Sequence, residues 1–148
     1  MYSKILVTLD TTASDGELLR HIMLLASLMK SELVLLHVAD GWVARNFDQL
    51  NLSESEEMRE DWKYLEDTAA RLRAETQVPI STRLALGNPS TQILKVAESE
   101  QVDLIAMASH GHRLVGDIIH GSTIDAVRHG AKVAMVIVPA KSSTSSPG

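Results

Sequence analysis

The sequence predicts an α/β domain: a five-stranded parallel sheet with helices on both faces. Three observations lead there. Short, largely continuous apolar runs alternate along the chain with segments that carry the three-and-four apolar spacing of helices. The runs do not alternate apolar with polar residues, which is the pattern of strands covered on both sides rather than one. The chain has 148 residues, about the size of one such domain with a single core.

Ile5 to Leu9 reads as the first strand, closed by the turn-forming cluster Asp10, Thr11, Thr12, Ala13, Ser14. Ser14 and Glu17 have the spacing of a capping box, and the helix they open is expected to run to about Lys30. Leu33 to Val38 is the second strand, interrupted only by His37 and followed by the breaker Asp40-Gly41. Trp42 to Leu52 shows no clear period. Ser53 with Glu56 repeats the capping-box spacing, so the second helix is expected to start there, burying Met58, Trp62, Leu65, Ala69 and Leu72 on one face.

Pro79 closes that helix region, and Ile80 to Leu86 forms a weaker third strand, stopped by Gly87. Asn88 reads as an N-cap with Pro89 at the first helical position, ahead of a helix over Ser90 to Glu100. Asp103 to Met107 is the fourth strand and Ser109 to Asp117 a loop. A helix from about Ile118 to His129 follows, with Gly130 just past its end, and Val133 to Val138 is the fifth strand. Strands separated by helices imply right-handed βαβ crossovers, and ligands of such sheets bind outside the carboxyl ends of the strands.

Composition narrows the function. There is no cysteine, which removes disulfides, thiolate zinc sites and cysteine nucleophiles. A net charge of -5 works against binding a phosphate backbone. The apolar run Ile22 to Met29 is far short of the ~20 residues that span a bilayer. The opening residues lack the pattern of a secretory signal, so a cytoplasmic location is expected. One domain is expected over residues 1–140, with Lys141 to Gly148 too small and polar to pack.

The segment after the fourth strand carries the chemistry. It places Gly111, then nine residues, then Gly121, Ser122 and Thr123, where glycine admits an anion close to the backbone and helix-start N–H groups and hydroxyls donate to it. Residue types alone leave two readings open, a phosphate cradle or a tight loop leading into an ordinary helix. His110 and His112 lack the carboxylates or thiolates that would complete a metal site, and Ser109 beside His110 lacks the geometry of a catalytic triad.

Here the chain resembles the universal stress protein family, whose ATP-binding members carry Gly-x2-Gly-x9-Gly-Ser/Thr after the fourth strand. Gly111, Gly121 and Ser122 match, while the first glycine of the motif falls on Ala108. The likeness extends to Lys4 through Asp10, Leu36-His37-Val38, Gly87-Asn88-Pro89, Asp103 through Gly111, and Ala131 to Pro139. It implies a Rossmann-like fold and an adenine nucleotide, ATP first among them, with magnesium as a companion held mostly by water. It implies that Asp10 and the backbone of Val38 meet the adenine, and Thr8 and Leu9, just before Asp10, are further candidates for the nucleotide site. Met107, Ala108 and Gly111 would line the ribose and phosphates, and Gly121, Ser122 and Thr123 would hold the phosphates. Arg113 is a further candidate phosphate partner, opposed by nearby Asp117.

A left-handed backbone at the first motif position would disfavour Ala108, which has a Cβ, whereas a need only for a small residue would not. No residue here is assigned as a catalytic base, so a nucleotide-binding stress or signalling module is expected rather than an enzyme. The alternatives are a dimeric interaction protein working without nucleotide and an enzyme, either a slow ATPase, a protein that phosphorylates itself at Ser122 or Thr123, or an ATP-pyrophosphatase relative. A response-regulator receiver is set aside, because Leu86-Gly87 and Val138-Pro139 stand where its acidic residue and lysine would be. The fifth strand is apolar on both faces and expected at a sheet edge, and the resemblance implies that Val133 to Val138 pairs with its own copy in a homodimer.

Overall fold

The computed structural model describes residues 1–40, 47–109 and 121–139. Its elements run β1 (Lys4–Thr8), α1 (Ser14–Met29), β2 (Glu32–Asp40), α2 (Phe47–Glu75), β3 (Ile80–Gly87), α3 (Pro89–Glu100), β4 (Leu104–Ser109), α4 (Gly121–Gly130) and β5 (Ala134–Pro139). All four strand pairings are parallel, in the order β3-β2-β1-β4-β5. The central strand β1 pairs with β2 through Leu6↔Val34 and with β4 through Leu6↔Ile105.

Two apolar clusters sandwich the sheet. On one face Ile5, Val7, Leu33 and Leu35 pack against Leu18 and Ile22 of α1 and Leu65, Ala69 and Leu72 of α2. On the other, Leu6, Val34, Leu36 and Ile105 pack against Ile93 and Val96 of α3 and Val127 of α4. Successive apolar residues of β1 therefore enter opposite clusters and all are buried, which explains the unbroken apolar run. Burying each Leu, Ile or Val contributes about 1.5–3 kcal/mol, so the central strands are the anchor of the fold.

Several expectations are corrected. The Ser14–Glu17 capping box does not form: the residue before α1 is Ala13, with no side-chain cap, while Ser14 turns toward Thr12 and Asp10 and Glu17 pairs with Arg20. The second helix starts at Phe47, so Ser53 and Glu56 lie inside it rather than at its start. Trp62 is 44% exposed, because the buried stripe of α2 passes through Leu65, Thr68, Ala69 and Leu72 with Tyr64 at its margin. The last helix includes Gly130, since Ala131 N–H still donates to the Val127 carbonyl at 2.8 Å. Strands β2, β4 and β5 each end one or two residues later than expected.

The third helix starts as expected, with Pro89 in its first turn and Asn88 accepting from the Thr91 N–H at 3.0 Å. At the amino ends of the strands, Glu100 bridges Lys4 of β1 and Arg83 of β3, and Asp103 accepts from Ser3 and Lys4 N–H at 2.9 and 3.1 Å. These contacts fasten the end of the sheet opposite the candidate site.

Candidate binding site at the carboxyl ends of the strands

The sheet order makes β1 and β4 neighbours whose following helices leave to opposite faces, α1 to one cluster and α4 to the other. A crevice opens at such a divergence, outside the strand ends. The sequence-predicted residues Thr8, Leu9, Asp10, Met107 and Ala108 lie there by topology.

On the β1 side, Thr8 is buried and its hydroxyl donates to the Ala106 carbonyl at 3.4 Å. Leu9 is buried, and its N–H donates to the Leu36 carbonyl at 2.7 Å. Val38 stands two residues beyond Leu36, half-buried near the carboxyl end of β2. Asp10 is half-buried and tied to its own turn: its Oδ1 accepts from Thr12 N–H at 3.0 Å and from the Thr12 hydroxyl, and Ser14 Oγ lies 3.4 and 3.5 Å from its two oxygens. The turn reading of Asp10 is realised, and it fixes where that carboxylate sits.

Behind the turn lies a side chain that sequence reasoning missed. Asp15 is 2% exposed. Its Oδ1 accepts from Asp10 N–H at 3.0 Å, and its Oδ2 accepts from Thr11 N–H at 2.9 Å and from the Tyr64 hydroxyl of α2 at 2.6 Å. Burial pushes the Asp15 carboxyl up to about 7, against the lowering effect of the hydrogen bonds from Tyr64 and the Asp10 backbone, and the neighbouring Asp10 charge adds to the rise. The Tyr64 phenol is raised too, first by burial and then by its bond to Asp15. The adjacent His37 ties β1 to α2, with Nδ1 2.8 Å from the Leu9 carbonyl and Nε2 3.4 Å from Asp61. An acid in the first turn of a helix reads in sequence as a partner of the helix dipole. Only the distance to Tyr64, 49 residues away, reveals the other role.

On the β4 side, Met107 is fully buried and Ala108 is 6% exposed, both paired with β5 through Ile137 and Val138. Ala108 is extended backbone in the strand and is not among the residues with positive φ. The Cβ of Ala108 therefore meets no left-handed backbone strain. Gly121, Ser122 and Thr123 form the first turn of α4, the first two exposed and the third half-buried. A Cβ placed on Gly121 would meet none of the described residues within 4 Å. Gly111, Arg113, His110 and His112 lie outside the described residues, as does the tail Lys141 to Gly148.

A parallel α/β sheet whose winding reverses between the first and fourth strands defines a domain of the doubly wound class. The Universal stress protein family model matches residues 1–139, and the chain belongs to that family. It is 27% identical to Universal stress protein MJ0577 of Methanocaldococcus jannaschii, over 97% of this chain and 98% of that one. The solved structure of MJ0577 superposes with a TM-score of 0.82 at 28% identity, covering 97% of this chain and 99% of that chain. Two more distant structures share the fold. A universal stress protein in complex with cAMP has a TM-score of 0.67 at 18% identity, covering 93% and 97% of the two chains. A family member from Arabidopsis thaliana with AMP bound has a TM-score of 0.66 at 14% identity, covering 94% and 92%.

Proposed function

We propose that this chain is a cytoplasmic stress-response or signalling module that binds an adenine nucleotide, ATP foremost, between the ends of β1 and β4. The observation that carries the reading is the departure to opposite faces of the helices that follow those two strands, with Asp10 held at the end of one strand, small Ala108 at the end of the other, and Gly121, Ser122 and Thr123 opening the helix after the second. The phosphates would lie on the first turn of α4, where free N–H groups and the positive end of the helix dipole favour anions. Asp10, Leu9 and Val38 would meet the adenine; Met107 and Ala108, with Gly111 and Arg113 from the following segment, would line the ribose and phosphates. Relatives of the same fold with AMP or cAMP bound support an adenine ligand. Magnesium would enter with ATP, held mainly by water and phosphate oxygens. The module works by occupancy, its surface changing for a partner as the nucleotide comes and goes, and as a homodimer joined along β5.

Calorimetric titration of the nucleotide-free protein with ATP and magnesium tests this, with Gly121→Asp as control. A Cβ at Gly121 meets none of the described residues, so the variant is expected to keep the sheet and its two clusters, checked by circular dichroism, while placing a negative charge where phosphate would sit. Saturable binding lost in Gly121→Asp is expected. Absence of binding by the wild type would leave the dimeric interaction protein as the reading.

A further inference from the structure

We propose that Asp15 and Tyr64 are positioning residues of the nucleotide site, holding the Asp10–Thr11 turn in its ligand-receiving shape, and that protonation of Asp15 releases that hold. The functional consequence rests on the nucleotide reading above; the hold itself does not.

Thr11 has φ 63°, in the left-handed region that a β-branched residue rarely adopts. A strained residue persists only where its surroundings over-determine it, and such residues gather at functional sites. What holds Thr11 is visible: its N–H and that of Asp10 both donate to the buried Asp15 carboxylate, and Tyr64, reaching over from α2, donates to the same group. The turn that carries Asp10 is thereby tied to a helix on the same face of the sheet.

An ionised carboxylate is acceptor-only and suits three donors. Protonated, it must place an O–H among two backbone N–H groups that cannot accept, so the proton turns to the Tyr64 oxygen or to the Asp10 carboxylate and away from Thr11. A neutral acid also accepts more weakly than a carboxylate. The grip on Thr11 slackens and its backbone can relax toward ordinary φ. The titratable groups around the turn are Asp10 upon it, Tyr64 from α2 and, at the Leu9 carbonyl, His37 from β2 with Asp61 from α2. Burial brings the Asp15 carboxyl up to about 7, so the change falls within the range a cell experiences.

The test has two arms. Amide NMR without nucleotide follows Asp10 and Thr11 N–H through a pH titration. Both should titrate together in the wild type and stay flat in Asp15→Asn. ATP affinity, measured from about pH 5.5 to about 8.5, should weaken about tenfold toward acid in the wild type, within the usual range of coupling between sites. In Asp15→Asn it should be weak and independent of pH. Adding Thr11→Gly to Asp15→Asn should restore binding, because glycine takes the positive φ without being held. Tyr64→Phe, which removes a bond that favours the carboxylate, should move the midpoint to higher pH. Identical pH profiles for wild type and Asp15→Asn, or amides that do not titrate, would overturn the proposal. A wild type whose amides titrate but that binds ATP at no pH would support the hold and overturn the nucleotide reading instead.

Discussion

Asp15 makes the stability of the nucleotide-free protein depend on pH in a direction opposite to that of most carboxylates. Its carboxyl has an ordinary value of 3.8 and stands at about 7 in the fold. Between those two values the folded protein keeps a proton that the unfolded chain has released. The stabilisation is therefore complete below 3.8 and is lost as pH rises through about 7. A tenfold difference in proton affinity between fold and unfolded chain is worth about 1.4 kcal/mol, so the full effect is roughly 4 kcal/mol. At 2% exposure little of it is screened by solvent. Asp15→Asn mimics the protonated acid in size and charge and does not titrate. Urea denaturation of both proteins at about pH 4, 6 and 8 reads the Asp15 contribution, since titrating groups away from the Asp10–Asp15–Tyr64 cluster cancel in the difference. The variant should gain on the wild type by roughly 4 kcal/mol across that range, with most of the gain complete by about pH 7. Parallel curves would refute the reasoning by showing that the carboxyl titrates alike in the folded and unfolded chain.

Other perturbations probe the rest of the fold. Leu65→Ala empties a fully buried position of α2 at the centre of one cluster and should cost about 2–5 kcal/mol by urea denaturation. Asn88→Ala removes the cap of α3 and should cost about 1 kcal/mol, readable as a drop in the thermal midpoint. Ile137 is 39% exposed on the edge strand β5, whereas Met135 packs against the second cluster, so, on the proposed β5 homodimer, Ile137→Glu should reduce the mass seen by light scattering from two chains to one while leaving circular dichroism unchanged. An unchanged mass would remove β5 as the dimer contact.

The strand–helix alternation, the strand positions and the edge placement of β5 were legible because apolar runs covered on both faces leave an unambiguous pattern. The cap at Asn88 was legible because the Asn-Pro pair suits only that position. The start of α2 was not, since Phe47 to Leu52 lacks a cap or a period and takes its helical form with the rest of a 29-residue helix. Trp62 was misplaced for a related reason: a spacing that fits one stripe also fits its neighbour, and contacts with the sheet decide which is buried. At the site, motif spacing pointed to Ala108 and Gly121. Asp15 escaped notice because the competing Ser14–Glu17 pattern is local, while its partner Tyr64 lies on another helix.

The pairing of β1 with β4 has a consequence for how the protein is made. Thr8 and the Ala106 it touches are 98 positions apart, so the first strand to leave the ribosome waits for the fourth before its second edge is covered. At usual translation rates of about 5–20 residues per second, that wait is roughly 5–20 s. During it, β1 and β2 can pair, but the apolar edge that will face β4 stands open to strands of other nascent chains. The ends of β1 and β4 come together only when that edge closes, so assembly of the proposed nucleotide site and the covering of that edge are one event.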